Sequence, residues 1–182
     1  MDIWEVRAFV YQYFADTTRA PSVDETARHF NIRNEEAGEI YIELNNRHAF
    51  FLEPGTLTIR MANPFSNIPT DFKVHANGKT YFANCAWDML GIPAALGRDA
   101  RIEAKFTESN ETVRLEVKDG KINNVTLSDS EGSLSQTNET LTRTASALRC
   151  KCRSPRTLPQ SDKPLVHFPL PFSRWYDDLI FT

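Results

Sequence analysis

The 182-residue sequence predicts an α+β fold: a winged helix-turn-helix-like three-helix subdomain over residues 1–63, then an antiparallel-sheet core over 64–182 that carries a cysteine-bearing helix. Three features predict it. Apolar residues recur with helical spacing in the first 45 positions, polarity alternates with a strand period across 101–127, and Asn77-Gly78 separates two strand-like runs.

Residues 3–15 read as a helix because Ile3, Val6, Phe9, Val10, Tyr13 and Phe14 fall on one face. Pro21 and Ser22-Val23-Asp24-Glu25 predict a second helix start, with Ser22 as the cap and Glu25 reaching back in a capping box; this helix runs to about Phe30. A third begins after Asn34 and turns Ala37, Ile40, Tyr41 and Leu44 inward. Glu53-Pro54-Gly55 then marks a turn between strands over 49–52 and 56–61. Residues 65–70 read as a Pro-containing linker. Strands over 72–75 and 80–83 flank the Asn77-Gly78 turn, and further strands are expected over 101–106, 112–117 and 122–127, the last two joined at Asp119-Gly120. From 128 to 164 the chain turns to Ser, Thr, Asn and Pro, which predicts a long flexible loop too polar to offset its ordering entropy. A strand over 165–168 and a short helix or turn over 172–179 complete the expectation.

Composition narrows the function. A hydrophobic share of 41% and a charged share of 25% are ordinary for a globular protein, and a net charge of −3 offers nothing to attract nucleic acid or an anionic membrane. Three helices and a hairpin are the order of a DNA-binding winged helix. The would-be recognition helix, however, bears Glu35, Glu36, Glu39 and Glu43, a face that repels phosphates. No apolar run long enough to span a bilayer and no secretory signal is read, and three cysteines make a poor disulfide framework, so a reducing cytoplasm is expected. His29, His48, His75 and His167 do not recur at metal-ligand spacing.

The chemistry concentrates in Tyr81-Phe82-Ala83-Asn84-Cys85-Ala86-Trp87-Asp88-Met89-Leu90-Gly91-Ile92-Pro93. Asn84 reads as a helix cap, and Gly91 and Pro93 close the apolar run that follows. Cys85 and Asp88, three residues apart, share a helix face. A cysteine in a first helical turn sits at the positive end of the helix dipole, which favours its thiolate. The pair thus reads as a soft nucleophile or metal ligand beside a group able to carry a proton. The bland alternative is a small buried hydrophobe beside a surface carboxylate.

This stretch, with Ala62-Asn63-Pro64-Phe65-Ser66, Ile68-Pro69-Thr70, Asn77-Gly78-Lys79 and Pro93-Ala94-Ala95-Leu96-Gly97-Arg98-Asp99-Ala100, resembles the alkylmercury (organomercurial) lyase family. Val166-His167-Phe168-Pro169 and Arg174-Trp175-Tyr176-Asp177-Asp178-Leu179-Ile180-Phe181-Thr182 resemble a second block of that family. The resemblance covers 64–104 and 166–182, is loose over the N-terminal third and is absent between the two blocks. It implies protonolysis of R–Hg–X to a hydrocarbon and Hg(II) with no further cofactor, through two cysteines and an aspartate. Cys85 and Asp88 fall on the first cysteine and the aspartate.

Mercury(II) is very soft, so thiolate is its preferred ligand. A free thiol is only about 3% ionised at pH 7, and an ordinary aspartic acid is only about 0.1% protonated. Asp88 must therefore be raised by burial or receive its proton from the attacking thiol. The resemblance places the family's second cysteine just past Thr182, which leaves turnover open. Three alternatives stand: a relative that binds mercury without turnover, Cys150 or Cys152 arriving from the loop as second ligand, or a reading frame continuing through a selenocysteine codon at 183. Trp87, Trp175 and Tyr176 read as core anchors and as candidate walls of an apolar pocket for the organic group, whereas Arg174, Asp177 and Asp178 read as an ion-paired surface. The expected function is carbon–mercury bond cleavage, with small thiols or a mercury reductase as acceptors of the Hg(II) product. The alternatives are a non-catalytic thiol-based binder of soft metals and, third, a winged-helix metal-responsive regulator.

Overall fold

A computed structural model of the chain describes residues 1–105, 111–129 and 132–135. Helix α1 (Ile3–Thr17) is capped by the Asp2 carboxylate, which accepts from the Trp4 amide at 3.0 Å, and buries Val6, Val10 and Phe14. Helix α2 (Val23–Phe30) carries the expected capping box: Ser22 Oγ accepts from the Glu25 amide at 3.1 Å while Glu25 Oε2 accepts from the Ser22 amide at 2.8 Å. In α3 (Asn34–Asn46) the apolar residues Ala37, Ile40, Tyr41 and Leu44 are all buried, as the spacing predicts. The hydroxyls of Thr26 and Tyr41 meet at 2.7 Å beneath α2 and α3, so neither buried oxygen is left unsatisfied.

The strands are β1 (Phe51–Leu52), β2 (Ile59–Ala62), β3 (Phe65–Ser66), β4 (Phe72–Ala76), β5 (Lys79–Ala83), β6 (Ala100–Lys105), β7 (Thr112–Lys118), β8 (Lys121–Asp129) and β9 (Gly132–Ser135). Among the described residues they form one sheet in the order β1-β2-β3-β5-β4-β6-β7-β8-β9, antiparallel at every step. The mixed helix and antiparallel-sheet architecture matches the expectation.

Three expectations are corrected here. The stretch read as a linker contains β3, whose buried Phe65 and Ser66 pair with β2 on one side and β5 on the other. A two-residue strand is too short to show a period, so only its pairing reveals it. The first hairpin is shorter and displaced from its expected limits, β1 beginning at Phe51 and β2 at Ile59. The polar stretch from 128 contains β9, which pairs with β8 in the register Thr126↔Ser135 to Asp129↔Gly132. Polar residues can supply backbone ladder bonds as well as apolar ones do. The rest of that stretch, and the strand and helix expected over 165–168 and 172–179, lie outside the described residues.

Helix α4 (Ala86–Leu96) lies against β4, β5 and β6 and buries Ala86, Met89, Ile92 and Pro93. It was expected to close at Gly91 and Pro93, but continues through both and ends at Gly97, whose φ of +58° suits glycine. At β5, the Lys79 ammonium donates to the carbonyls of Ala15 (3.3 Å) and Asp16 (2.7 Å), and the Tyr81 hydroxyl donates to Ala15 at 2.7 Å. These donors satisfy the open carbonyls at the end of α1 and fix that helix on the sheet. Phe14 stacks on Phe65 with centroids 5.4 Å apart, and Phe65 in turn meets Tyr81 at 5.8 Å, so α1, β3 and β5 share one aromatic seam. No helix among the described residues is long and apolar enough to cross a membrane.

Candidate active site

Strand β5 ends at Ala83, where Thr70 Oγ1 donates to the Ala83 carbonyl at 2.6 Å. Asn84 follows, and Cys85 is the residue that opens α4. Its φ of −153° and ψ of 178° are extended, and its carbonyl accepts from the Met89 amide at 3.1 Å, so Cys85 is the N-cap. This corrects the assignment of Asn84 as cap. The Asn84 side chain instead faces the preceding loop, donating through Nδ2 to Asn63 Oδ1 (3.1 Å) and to the Phe65 carbonyl (3.4 Å).

The thiol and the carboxylate meet as the spacing predicts. Cys85 Sγ donates to Asp88 Oδ2 at 3.3 Å, with both residues half-buried. The positions are those of a capping box, with sulfur and a shorter acid replacing the usual hydroxyl and glutamate.

The electrostatics overturn one expectation. Burial pushes the Cys85 thiol above the ordinary cysteine value. Backbone amides of Asp88 and Trp87 act against that, while the nearby Asp88 carboxylate adds to it. The resting cysteine is therefore a thiol held by an acid partner. A helix N-terminus by itself would favour a thiolate, but desolvation outweighs it. Burial also raises Asp88 above the ordinary carboxyl range, with the Cys85 and Asn84 side chains restraining the rise as hydrogen-bond donors. Proton-holding power is thus shifted onto both members of the pair.

Helix α1 supplies groups that sequence reasoning missed. Tyr11 is half-buried, its hydroxyl donates to the Ala49 carbonyl at 3.2 Å, and the Arg7 guanidinium carbon lies 4.7 Å from its ring centroid. Burial raises the Tyr11 phenol, Arg7 opposes the rise, and the charge of Asp88 adds to it. Arg7 and Tyr11 are an i,i+4 pair with no motif around them, so only the docking of α1 could reveal their place.

Trp87 departs from the expectation of a core anchor: it is 64% exposed, at the second residue of α4, two positions after Cys85. The buried face of α4 is taken by Ala86, Met89 and Ile92, which leaves the residue between them facing outward. Cys150, Cys152, Trp175 and Tyr176 lie outside the described residues. Among the described residues no group of three or more His, Cys, Asp or Glu side chains is arranged to hold a metal ion. A groove lined by His75, Asn77, Asp99, Arg101, Glu116 and Lys118 lies at the turn between β4 and β5, the far end of β5 from Cys85.

A solved chain described as the mercury-bound form of MerB2 superposes with a TM-score of 0.55 at 23% identity, over 66% of this chain and 59% of that one, a likeness of fold. The chain thus spans about three fifths of the length of that relative. No curated protein matches. The family model described as alkylmercury lyase matches residues 65–163, that is 99 of the 182 positions, and so takes in the Cys85–Asp88 pair and strands β3 to β9. With more than half of its length so matched, the chain belongs to the alkylmercury lyase family.

Proposed function

We propose that this chain cleaves carbon–mercury bonds, with Cys85 as the attacking thiol and Asp88 as the proton relay. The observation that carries the reading is the 3.3 Å contact between Sγ and Oδ2 at the head of α4. A thiol must lose its proton to bind a soft metal, and a carboxylate already hydrogen-bonded to it is placed to take that proton. The Cys85 S–H bond breaks as the sulfur–mercury bond forms, X⁻ leaves R–Hg–X, and the proton passes to Asp88. The raised Asp88 carboxyl retains it. In the second step the carbon–mercury bond breaks, its electron pair takes the Asp88 proton to give R–H, and Hg(II) remains on sulfur. The Asp88 carboxylate is regenerated, and no redox change or cofactor enters. Pulling mercury off Cys85 requires competing thiols, for which Cys150, Cys152 and small solution thiols are the candidates, with a mercury reductase as a downstream acceptor.

The remaining assignments follow from this reading. Residues 1–63 act as a winged-helix-like subdomain that braces the core of 64–182, with α1 closing over the site rather than reading DNA. The acidic exposed residues Glu35 and Glu39 on α3 disfavour phosphate contacts. Trp87, with Trp175 and Tyr176, lines the approach of the organic group, and the cytoplasm is the compartment that keeps the thiols reduced.

The test is incubation with phenylmercuric acetate and excess thiol, following benzene release. Benzene formed by the unaltered chain and lost in Cys85→Ser supports the lyase. Stoichiometric mercury binding without benzene refutes turnover and leaves a soft-metal binder of the same fold.

A further inference from the structure

Asn84 takes no part in the relay described above, yet its side chain ties the head of α4 to the loop that precedes β3. Its Nδ2 reaches back 21 residues to Asn63 Oδ1 at 3.1 Å and touches the Phe65 carbonyl at 3.4 Å. Phe65 lies in β3, paired directly with Ala83, the last residue of β5. A second contact lies further along the helix. Gly91, three residues after Asp88 and on the same face, approaches Pro64 so closely that a Cβ added there would stand 3.1 Å from Pro64 Cβ. Asn63, Pro64 and Phe65 therefore form a seat for the side of α4 that bears Asp88, and Asn84 is its polar fastening.

We propose that Asn84 is a positioning residue, whose hydrogen bonds to Asn63 and Phe65 set the rotation of α4 at which Cys85 and Asp88 exchange a proton. The assignment rests on the lyase reading for its kinetic consequence but not for its geometry. Cys85 and Asp88 belong to different backbone regimes, one extended and one helical, so their distance depends on how the first turn is held. A misplacement of about 1 Å at such a pair costs on the order of a hundredfold in rate. Asn84 also acts on the acid electrostatically, holding the Asp88 carboxyl lower than burial alone would leave it.

Two measurements test this, one of turnover and one independent of it. In benzene release, Asn84→Ala and Asn63→Ala should each lower kcat roughly tenfold to a hundredfold while KM moves less than about threefold. Their combination should be no worse than the poorer single variant, because both remove one fastening. Asn63→Asp, which still offers an oxygen to Asn84, should recover most of the loss. The second measurement is the rate of Cys85 alkylation by iodoacetamide at fixed pH, followed on its peptide by mass spectrometry. Asn84→Ala should change that rate by about threefold or more in the unaltered background and by almost nothing alongside Asp88→Asn. Should Asn84→Ala not fold, the pair Asn63→Ala and Asn63→Asp is carried through the same cycle. Additive alkylation effects, or an Asn63→Asp variant as impaired as Asn63→Ala, overturn the assignment. Coupled alkylation in a chain that releases no benzene keeps the positioning role and removes only the lyase reading.

Discussion

Replacing Asp88 with asparagine should move thiol reactivity and turnover in opposite directions. Asp88 Oδ2 stands 3.3 Å from Cys85 Sγ. Two unit charges at that distance repel by about 1.3 kcal/mol even with the full screening of water. That is close to one pKa unit, worth about 1.4 kcal/mol, and partial burial makes it a lower bound. The carboxylate acts upward on the Cys85 thiol, so removing its charge makes the thiol more acidic. At pH 7 the thiolate population should rise about tenfold. Each thiolate becomes less nucleophilic as its basicity falls, so alkylation by iodoacetamide should accelerate by only about threefold. Benzene release should meanwhile fall by roughly 10²–10⁴, the usual range for loss of an acid–base group. Slower alkylation would refute the electrostatic argument, and undiminished benzene release would remove Asp88 from the proton path.

Three further outcomes follow from the same structure. Because burial raises Asp88 in the folded state, the native protein binds its proton more tightly than the unfolded chain does. Stability is then lost as pH climbs from the ordinary carboxyl range through the raised folded value, and Asp88→Asn should melt higher than the unaltered chain at pH 7 but not at pH 3 by differential scanning calorimetry. Glu25 has the opposite sign: Arg19, the Ser22 amide and Tyr13 hold its carboxyl well below the usual range, so its stabilisation is present at neutral pH and is lost as pH falls below that range. Glu25→Gln should accordingly lower Tm at pH 7 and converge with the unaltered protein in acid. Phe14→Ala, which empties a fully buried position stacked on Phe65, should cost about 3–5 kcal/mol in urea unfolding; a cost under about 1 kcal/mol would mean that α1 does not pack on the sheet as described.

Much of this molecule was legible in short windows of sequence. Ser22 and Glu25 announced the start of α2, Asn77-Gly78 the hairpin between β4 and β5, and the three-residue interval between Cys85 and Asp88 their contact. Other features gave no local sign. Phe65 and Ser66 sit in a Pro-flanked stretch that resembles a linker, and became a strand only because β2 and β5 offer edges on both sides. Pro93 looked like a helix end, whereas α4 packs against β4, β5 and β6 firmly enough to continue past it to Gly97. Trp87 carries the composition of a core anchor and the position of a surface residue.

By itself, then, the amino-acid order determined what a few neighbouring residues can decide among themselves: helix caps, turn type, strand period, and the pairing of a sulfur with an acid one turn away. Tertiary structure alone decided the ionisation of that pair, the exposure of Trp87 and the partners of Asn84. The physical reason is range. Caps and turns are closed by bonds within four residues, but desolvation depends on everything packed around a group, and Asn63 lies 21 positions before Asn84 while Ala15 lies 66 before Tyr81. Folding, by bringing those distant residues together, turns a cysteine that its helix would ionise into a thiol that keeps its proton beside the carboxylate able to accept it.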